Sequence, residues 1–346
     1  MKPSYYRIFK YYGSSLLFIW LAIAIYFITP YYKGFLTHDA KIALRDLAVI
    51  YTFAAPAAYY VSHKRGSISP SRAYLALVTL KRLGSDYGNY LQKLITKAFY
   101  PAPKISREER TNLLFMIVKL FFLPIMVNFL FANISAVRHS VDTISAQGLG
   151  LSLTSFNGLI YPFIFSTLLL IDTAYFTFGY AVESRALDNK VVSVDPTFLG
   201  WAVALICYPP FNNLGVQILN WHADDYRIFG HAGYTSMLYL LVLLLMFIYA
   251  AASVALGAKA SNLTNRGIVQ RWPYSFVRHP AYISKNLAWW LTLLPILSLS
   301  VVLSMAAWTF IYFLRALTEE RHLMMVDNGY REFCQKVRWR FIPRVY

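Results

Sequence analysis

RHPAYISKNLAWWLTLLPILSLSVVLSMAAWTFIYFLRALTEE, residues 278–320, is the stretch of sequence that decides the fold. It begins with a polar cluster, Arg278-His279-Pro280-Ala281-Tyr282, and ends with a second one, Glu319-Glu320. The residues from Leu287 to Leu314 between the clusters are almost entirely compatible with a membrane. Polar clusters at both ends of an apolar stretch predict a site where the membrane meets water. This favours a membrane enzyme over a soluble enzyme or a plain anchor.

The apolar stretch is predicted to turn back on itself near Pro295. A single tilted span would put the basic tail on the opposite side of the membrane from the other basic segments. Two helices, Pro280–Leu294 and Leu297–Glu320, instead return the chain to the side from which it came. The first would be only about 22 Å long at 1.5 Å per residue, too short for a full crossing. We therefore expect a partly submerged hairpin with a short or tilted first arm.

Composition places the chain among membrane proteins. It is 58% hydrophobic and only 14% charged, whereas about 25% charged residues are usual in soluble proteins. The net charge of +17 does not require nucleic acid, because basic residues collect on the cytoplasmic side of membranes. We expect no nucleic-acid partner. Two cysteines, Cys207 and Cys334, offer neither a disulfide framework nor a metal site.

The apolar runs predict an all-α, polytopic transmembrane helical bundle with about eight membrane segments, two of them the arms of the C-terminal hairpin. The six spans predicted before the hairpin are Ser15–Pro30, Leu47–Val61, Leu113–Asn133, Phe156–Tyr180, Phe198–Leu219 and Tyr234–Leu256. The chain then divides into a two-span segment (1–62), a basic amphipathic segment (63–110), a four-span core (111–257) and a motif region (258–346).

The distribution of basic residues predicts the orientation. With the N-terminus inside, 27 of the 33 Lys and Arg fall on inside segments, five fall outside, and Lys119 lies within a span. Basic residues favour the cytoplasmic side, so both termini and both polar clusters are expected there. The basic segment is predicted to hold two amphipathic helices, near Ser71–Leu83 and Asp86–Phe99. Such helices either lie on the lipid surface or cover the mouth of an active site.

Two charges are predicted within the spans. Lys119 and Asp172 lie at similar depths, each about eight residues from the cytoplasmic end of its span. Ionisable residues at such depth are usually paired or functional. They are expected to lock two helices together as an ion pair, or else to belong to a proton or substrate path.

The two polar clusters suit a shared pocket. Pro280 fits the first position of a helix, where its missing N–H is no loss, and the free amides of that terminus could receive an anionic group. His279 and Tyr282 are three residues apart, so both could face one pocket. Glu319 and Glu320 diverge by roughly 100° on a helix, so one could face a ligand while the other pairs.

The order of the motifs resembles a known superfamily. Arg-His-Pro-x-Tyr, a hydrophobic hairpin, Glu-Glu, then Gly329-Tyr330 and Phe341-Ile342-Pro343 are similar to the isoprenylcysteine carboxyl methyltransferases and phospholipid methyltransferases. These are integral membrane enzymes that use S-adenosylmethionine. The resemblance covers about residues 256–346. The family often has a glycine where this chain has Ser284, and another near the position of Trp272.

The resemblance implies an S-adenosylmethionine-dependent methyltransferase of a lipid or lipid-anchored acceptor, with residues 258–346 as its catalytic region. Its cofactor pocket would draw on Arg278 and on the expected cofactor-binding residues. These are His279, Tyr282, Glu319, Glu320 and Trp272. Carboxylates could hold the ammonium group or ribose hydroxyls, and an aromatic face could lie against the sulfonium.

An acidic acceptor would need a cation nearby. Arg278, Arg338 and Arg340 are the candidate catalytic cations, and their alternative role is to bind lipid headgroups. The acceptor itself is expected to be a lipid or another small hydrophobic molecule. Five residues of the interrupted fifth span are expected to line its access or to pack the core: Trp201, Tyr208, Phe211, Asn212 and Asn213.

Two other classes of protein stay open. Sterol reductases resemble the same C-terminal hairpin but use a nicotinamide cofactor. A membrane scaffold or transporter whose hairpin has lost catalysis is the third possibility. Binding of one cofactor or the other would separate these classes.

Overall fold

A computed structural model describes residues 3–66, 68–96, 101–213, 229–326 and 328–345. It is 76% helical, and its described residues contain a single two-stranded sheet with two residues in each strand. The prediction of an all-α protein is therefore confirmed. The chain forms two compact units, residues 1–128 and 129–346. The boundary between them falls within the predicted four-span core.

The first unit is built from helices alone. Its elements are α1 (Pro3–Ile28), α2 (Pro30–Phe35), α3 (His38–Lys64), α4 (Arg72–Ile95) and the first part of α5 (Arg107–Gln147). Helix α1 packs against α3 and α4. The Thr37 and Ser71 hydroxyls accept from backbone amides one turn into α3 and α4 and thereby satisfy donors that a helix start leaves open.

Helix α4 corrects the prediction of two short amphipathic helices. One helix runs from Arg72 to Ile95, and residues 97–99 of the second predicted helix lie outside the described residues. Gly84 stands at the predicted break, but a single glycine costs a helix only about 1 kcal/mol. Arg82 bridges the break by pairing with Asp86 one turn on, at 2.7 Å, and also with Glu109 of α5, at 2.9 Å.

The second unit contains the motifs. Its helices are the rest of α5, then α6 (Leu153–Ser155), α7 (Tyr161–Ala181), α8 (Phe198–Leu205), α9 (Ala232–Leu256), α10 (Pro280–Leu293), α11 (Leu299–Val326) and α12 (Asn328–Lys336). Helix α9 packs against both α7 and α10, and α11 packs against α8. The core between α7, α9 and α10 includes Tyr161 stacked on Tyr239, with ring centroids 3.7 Å apart.

The C-terminal hairpin forms as predicted. Its first arm is α10, its second arm is α11, and a short 3₁₀ turn that contains Pro295 joins them. Trp289 and Tyr312 meet edge to face between the arms, with ring centroids 5.3 Å apart. Because α10 has 14 residues, it is about 21 Å long, shorter than the apolar thickness of a bilayer.

Five helices of the described residues are long and apolar enough to cross a membrane. They comprise Tyr6–Ile28, Arg107–Gln147, Leu153–Ala181, Ala232–Lys259 and Leu299–Val326. The predicted span 47–61 lies within α3, which is not among these five. The predicted span 198–219 begins with α8, a helix of only eight residues, and residues 214–219 lie outside the described part of the chain.

A small sheet fixes the loop that leads to the motifs. Strand β1 (Ser193–Val194) pairs antiparallel with β2 (Thr264–Asn265), so that Ser193 faces Asn265. The buried Ser193 hydroxyl also lies 2.9 Å from His322 Nε2 of α11.

Gly179 of α7 touches the loop that leads to the motifs. A Cβ atom on Gly179 would lie only 2.0 Å from the carbonyl oxygen of Ala260.

Gly179→Ala should therefore destabilise the protein. We expect the free energy of unfolding to fall by about 1–3 kcal/mol, the usual cost of overpacking, because the obstacle is backbone rather than a flexible side chain. Gly158→Ala is the matched control, since nothing lies within 4 Å of its added methyl group. Unfolding of both variants in the same detergent measures the difference. Equal stabilities would contradict the close approach at Gly179.

Candidate functional site

A buried ion cluster joins the two polar motifs. Glu320 of α11 is 2% exposed. Its Oε1 accepts from Arg278 Nε at 2.7 Å and lies 3.1 Å from His279 Nε2. Its Oε2 accepts from Arg340 Nε at 3.0 Å and from Arg340 Nη2 at 2.7 Å. Two arginines and a histidine thus occupy both oxygens of one carboxylate.

The C-terminal tail completes this cluster. The backbone amides of Arg278 and His279 donate to the carbonyl groups of Trp339 and Arg340, at 2.9 and 3.0 Å. The Arg278 side chain donates to two further carbonyl groups of the tail, at 2.8 and 3.0 Å. Because Arg278 binds the tail and Glu320 together, it fixes the start of α10 against α11.

Helix α12 packs beneath the loop that precedes α10. Tyr330, Phe333 and Val337 are buried there together with Tyr274 and Ile268. Burial raises the pKa of the Tyr330 phenol, and burial together with the charge of Glu319 raises the pKa of the Tyr274 phenol. Both phenols therefore keep their protons at neutral pH. Tyr330 of the Gly329-Tyr330 motif is part of this buried cluster.

Glu319 has a different environment from its neighbour. Its Oε2 accepts from the Tyr282 hydroxyl at 2.8 Å, while the Tyr282 ring lies parallel to the His279 ring with centroids 5.4 Å apart. Glu319, Tyr282 and His279 all line a cavity of about 170 Å³ in the second unit. The expectation that one glutamate pairs while the other faces a ligand site agrees with this geometry.

The cavity is bounded by residues of α7, α8, α9, α10, α11 and α12 and of the loop between α9 and α10. Besides the three residues just named, its polar lining includes Asp195, Tyr208, Lys259, Asn262, Thr264, Asn265, Arg266, Tyr274, Arg278, Lys285, Tyr312, Arg315, Thr318 and His322. Two of its basic residues form ion pairs, Arg278 with Glu320 and Lys259 with Asp188. In total, five Lys and Arg residues line the cavity against the two carboxylates of Asp195 and Glu319, so the lining favours a ligand with negative charge.

Arg315 is the cation most enclosed by aromatic rings. It is 7% exposed, and its guanidinium lies over Tyr282 at 5.2 Å, Tyr208 at 5.7 Å and Tyr312 at 5.9 Å. It also donates to the Asn262 side chain. Cation–π contacts of this kind hold a guanidinium in place without cancelling its charge.

Lys285 lies one helical turn further into the hairpin than Tyr282. Its Nζ lies over Tyr249 at 4.7 Å and over Trp289 at 5.3 Å, and it donates to the Tyr249 hydroxyl at 3.3 Å. Tyr249 in turn donates to Asp172 at 2.6 Å. A hydroxyl therefore stands between the ammonium group and the carboxylate.

Asp172 has its hydrogen-bond partners within the second unit. Tyr249 and Ser253 of α9 both donate to it, and Lys285 is the basic residue whose charge acts on it. Lys119 belongs to the first unit and lies over the Phe115 ring, at 5.2 Å. Asp172 thus joins α7 to α9 through two hydroxyl groups. The Lys119–Asp172 pair stays a prediction.

Asn265 contributes an unpaired donor. This residue is 1% exposed and lines the cavity. Its Oδ1 accepts from the Gly267 amide at 2.8 Å, but its Nδ2 has no hydrogen-bond partner among the described residues. A buried donor without a partner costs about 1–3 kcal/mol. A ligand acceptor in the cavity would remove that cost.

Several predicted site residues lie elsewhere. Glu320 and Arg340 hold one another in the buried cluster, so neither is available to a cofactor or an acidic acceptor. Trp272 is 48% exposed and Arg338 is exposed, and neither lines the cavity. The structure therefore does not bring these four residues to the cavity, and the expected cofactor role of Glu320 and Trp272 and the expected catalytic role of Arg338 and Arg340 stay predictions. Arg278 lines the cavity, but its guanidinium is occupied by Glu320 and the tail.

Five residues of the fifth predicted span were expected to line the access route or to pack the core. Within the described part of the chain, Tyr208 is the one of these five that lines the cavity. Trp201 instead donates to the Asp195 carbonyl, at 2.7 Å. Ser284 stands where the methyltransferase family often has a glycine, and its side chain is accommodated locally. Its hydroxyl donates to the Pro280 carbonyl at 2.7 Å and is buried, so it turns back onto its own helix.

Sequence reasoning had assigned no site role to Lys285, Arg315 or Asn265. For the first two, helical spacing carried the signal. Lys285 follows Tyr282 by three residues, and Arg315 precedes Glu319 by four, so each shares a helix face with a residue of the site.

No family model matches the chain, and no curated protein matches it.

Proposed function

We propose that the protein is a multi-pass membrane methyltransferase that uses S-adenosylmethionine and acts on a lipid or lipid-anchored acceptor at the cytoplasmic face. In this proposal the five long apolar helices, α3, the 198–219 segment and the first arm of the hairpin make eight membrane segments. The observation that carries the proposal is the meeting of Arg278-His279-x-x-Tyr282 with Glu319-Glu320, which brings Arg278, His279, Tyr282 and Glu319 to one cavity. The resemblance of these motifs to membrane methyltransferases supports it.

The residues that line the cavity fit this cofactor. Glu319 has one oxygen that accepts from Tyr282, which leaves acceptor capacity for an ammonium or ribose hydroxyl group. The unpaired Nδ2 of Asn265 suits a ring nitrogen of the nucleoside. The aromatic faces of Tyr282 and Tyr208 suit a cation. When bound, the cofactor would supply an electrophilic methyl group on its sulfonium.

The protein would contribute position and enclosure. Methyl transfer is an in-line displacement, so alignment of the two reactants lowers its barrier most. The Glu320 cluster holds the start of α10 against α11, and this fixes Tyr282 opposite Glu319. Tyr274, Tyr312 and Leu323 close the cavity with apolar surface, which keeps water from a reactive methyl group.

A nicotinamide-dependent reductase is the second candidate. The excess of basic residues around the cavity favours it, because a nicotinamide dinucleotide carries a diphosphate. Arg266, Lys285 and Arg315 all line the cavity, and among the described residues Lys285 and Arg315 form no ion pair with a carboxylate. They would suit phosphate oxygens as well as the carboxylate of another ligand.

Titration of the purified protein with both cofactors tests the choice. We expect saturable binding of S-adenosylmethionine and its demethylated product in about the 1 μM–1 mM range usual for enzyme substrates. Reduced nicotinamide dinucleotides should not compete. The Asn265→Ala variant should bind the methyl donor more weakly, since a donor to the ligand is lost. Saturable binding of a nicotinamide cofactor, without binding of the methyl donor, would favour the reductase. Binding of neither would favour a scaffold or transporter.

A further inference from the structure

Two cations lie inside the hairpin without an ion-paired carboxylate. Lys285 of α10 and Arg315 of α11 both line the cavity. Neither forms an ion pair with a carboxylate among the described residues, where the ion pairs of the second unit are those of Asp188 and Glu320. An isolated buried charge is costly, and natural proteins keep one only when a partner or a ligand compensates it.

The nearest acids do not compensate both cations. Asp172 stands behind Tyr249, whose hydroxyl accepts from Lys285 and donates to the carboxylate. Glu319 lies one helical turn from Arg315 and already accepts from Tyr282. The charges that act on Lys285 include the opposing charge of Asp172 and the like charge of Arg315. The formal charges of these two cations and two acids balance, but neither carboxylate forms an ion pair with Lys285 or Arg315 among the described residues, so donors of both cations remain for a ligand.

Aromatic rings surround these cations. Tyr208, Tyr282 and Tyr312 face Arg315, and Tyr249 and Trp289 face Lys285. Rings of this kind hold the two cations by their π-faces, so the donor hydrogens at the edge of the guanidinium and on the ammonium stay usable. The hairpin arms present further apolar surface, including Trp290 and Val301. A small charged group attached to an apolar body matches both features.

We propose that Lys285 and Arg315 form an oxyanion subsite that binds the anionic headgroup of the acceptor, a carboxylate or a phosphate. This inference rests on the proposed function, because it names the chemical class of the molecule that is methylated. Arg315 offers a fork of donors suited to either oxyanion, and Lys285 offers a mobile point charge. Tyr249, which accepts from Lys285, and Asp172 behind it act as positioning residues for the ammonium group. Ionisable residues at membrane depth commonly serve a ligand path.

The test uses amphiphiles of equal chain length and different headgroup. The full chain, purified in a non-ionic detergent, is titrated with dodecanoate, dodecyl phosphate, dodecanol and dodecyltrimethylammonium. We expect the two anionic amphiphiles to bind at least about tenfold tighter than the alcohol and the cation, since hydrogen bonds between charged groups are the strong ones. The tighter of the two anions identifies a carboxylate or a phosphate as the natural headgroup.

Three variants assign the selectivity to the subsite. Lys285→Met should weaken binding of both anions by about tenfold or more, and Lys285→Arg should restore most of it because the charge returns. Lys336→Met is the matched control, since Lys336 is exposed on α12 and does not line the cavity. It should leave binding unchanged. Thermal unfolding of each variant checks that it is folded.

Two results would overturn the inference. One is equal binding of anionic and neutral amphiphiles by the natural protein, a measurement that stays decisive even if Lys285→Met does not fold. The other is a Lys285→Met variant that loses affinity for S-adenosylhomocysteine and keeps its affinity for the anions, because the two cations would then serve the cofactor. If either result is found and the methyl donor still binds, the oxyanion subsite is ruled out but the proposed function is not. Failure of the methyl donor to bind, with anion selectivity intact, would instead remove the proposed function.

Discussion

Glu320→Gln is expected to lower the free energy of unfolding by about 3–5 kcal/mol, the usual cost of removing one partner from a buried ionic network. The glutamate accepts from Arg278 and Arg340 and lies beside His279, and its side chain is almost fully buried. Glutamine removes the negative charge and replaces one acceptor oxygen by a donor. Two guanidinium groups would then share a single neutral acceptor. Equilibrium unfolding in detergent, followed by tryptophan fluorescence, measures the loss.

Glu332→Gln provides the matched control for this experiment. Glu332 carries the same side chain on α12 but is exposed, and surface substitutions usually change stability by less than about 0.5 kcal/mol. A loss at Glu320 that is no larger than the loss at Glu332 would contradict the cluster. A large loss at Glu320, with cofactor affinity retained in the molecules that fold, would mark this residue as structural.

The hairpin could be predicted from the sequence because its determinants are local. The length of the apolar run, Pro295 within it and the basic tail after it leave few alternatives. Helix α4 shows where such local signals fail, because a contact distant in sequence also supports it. The predicted break between two helices falls at Gly84, whereas the Arg82 pairs with Asp86 and Glu109 support a continuous helix. One of those partners lies on α5 and is distant in sequence.

The sequence predicts that the two glutamates have different roles, but it does not predict which of them forms the ion pairs. The 100° step between neighbouring helical residues predicts that Glu319 and Glu320 face different surroundings. Which of them pairs depends on the rotation of α11 against the tail, and that is fixed by the backbone bonds from Arg278 and His279 to residues 339 and 340. Such contacts join segments far apart in the chain, so spacing alone does not reveal them.

Lys285 and Arg315 were harder to find for the same reason. A lysine and an arginine near the ends of apolar helices are typical of a membrane surface, where long basic side chains reach the headgroups. Their burial becomes visible only when α8, α9 and the hairpin are assembled. Tyr208 of the segment after α8 and Tyr249 of α9 both reach the hairpin in this way.

Glu319→Gln is expected to raise the KM for S-adenosylmethionine by about 10- to 100-fold, the range that follows from losing a hydrogen bond between charged groups. Glu319 is exposed, lines the cavity and forms no ion pair among the described residues, so the stability of the protein should change by less than about 0.5 kcal/mol. The measurement is methyl incorporation into lipids extracted from cells that carry either version of the gene, read as the mass of one added methyl group, together with cofactor titration of the purified proteins.

Tyr282→Phe is the companion variant, because it removes the hydroxyl that orients Glu319 but leaves the carboxylate charged. We expect a smaller increase in KM, of roughly fivefold, as befits one hydrogen bond from a neutral donor. An unchanged KM in Glu319→Gln would remove this residue from the cofactor site.

The sign of the effect also separates the two candidate functions. A carboxylate attracts the cationic methyl donor and repels an anionic nicotinamide dinucleotide. Neutralising Glu319 therefore weakens binding of the first cofactor and strengthens binding of the second. The cofactor that saturates the natural protein therefore identifies the function, and the direction of its change in Glu319→Gln, weaker for the methyl donor or tighter for the dinucleotide, shows that it binds beside this carboxylate.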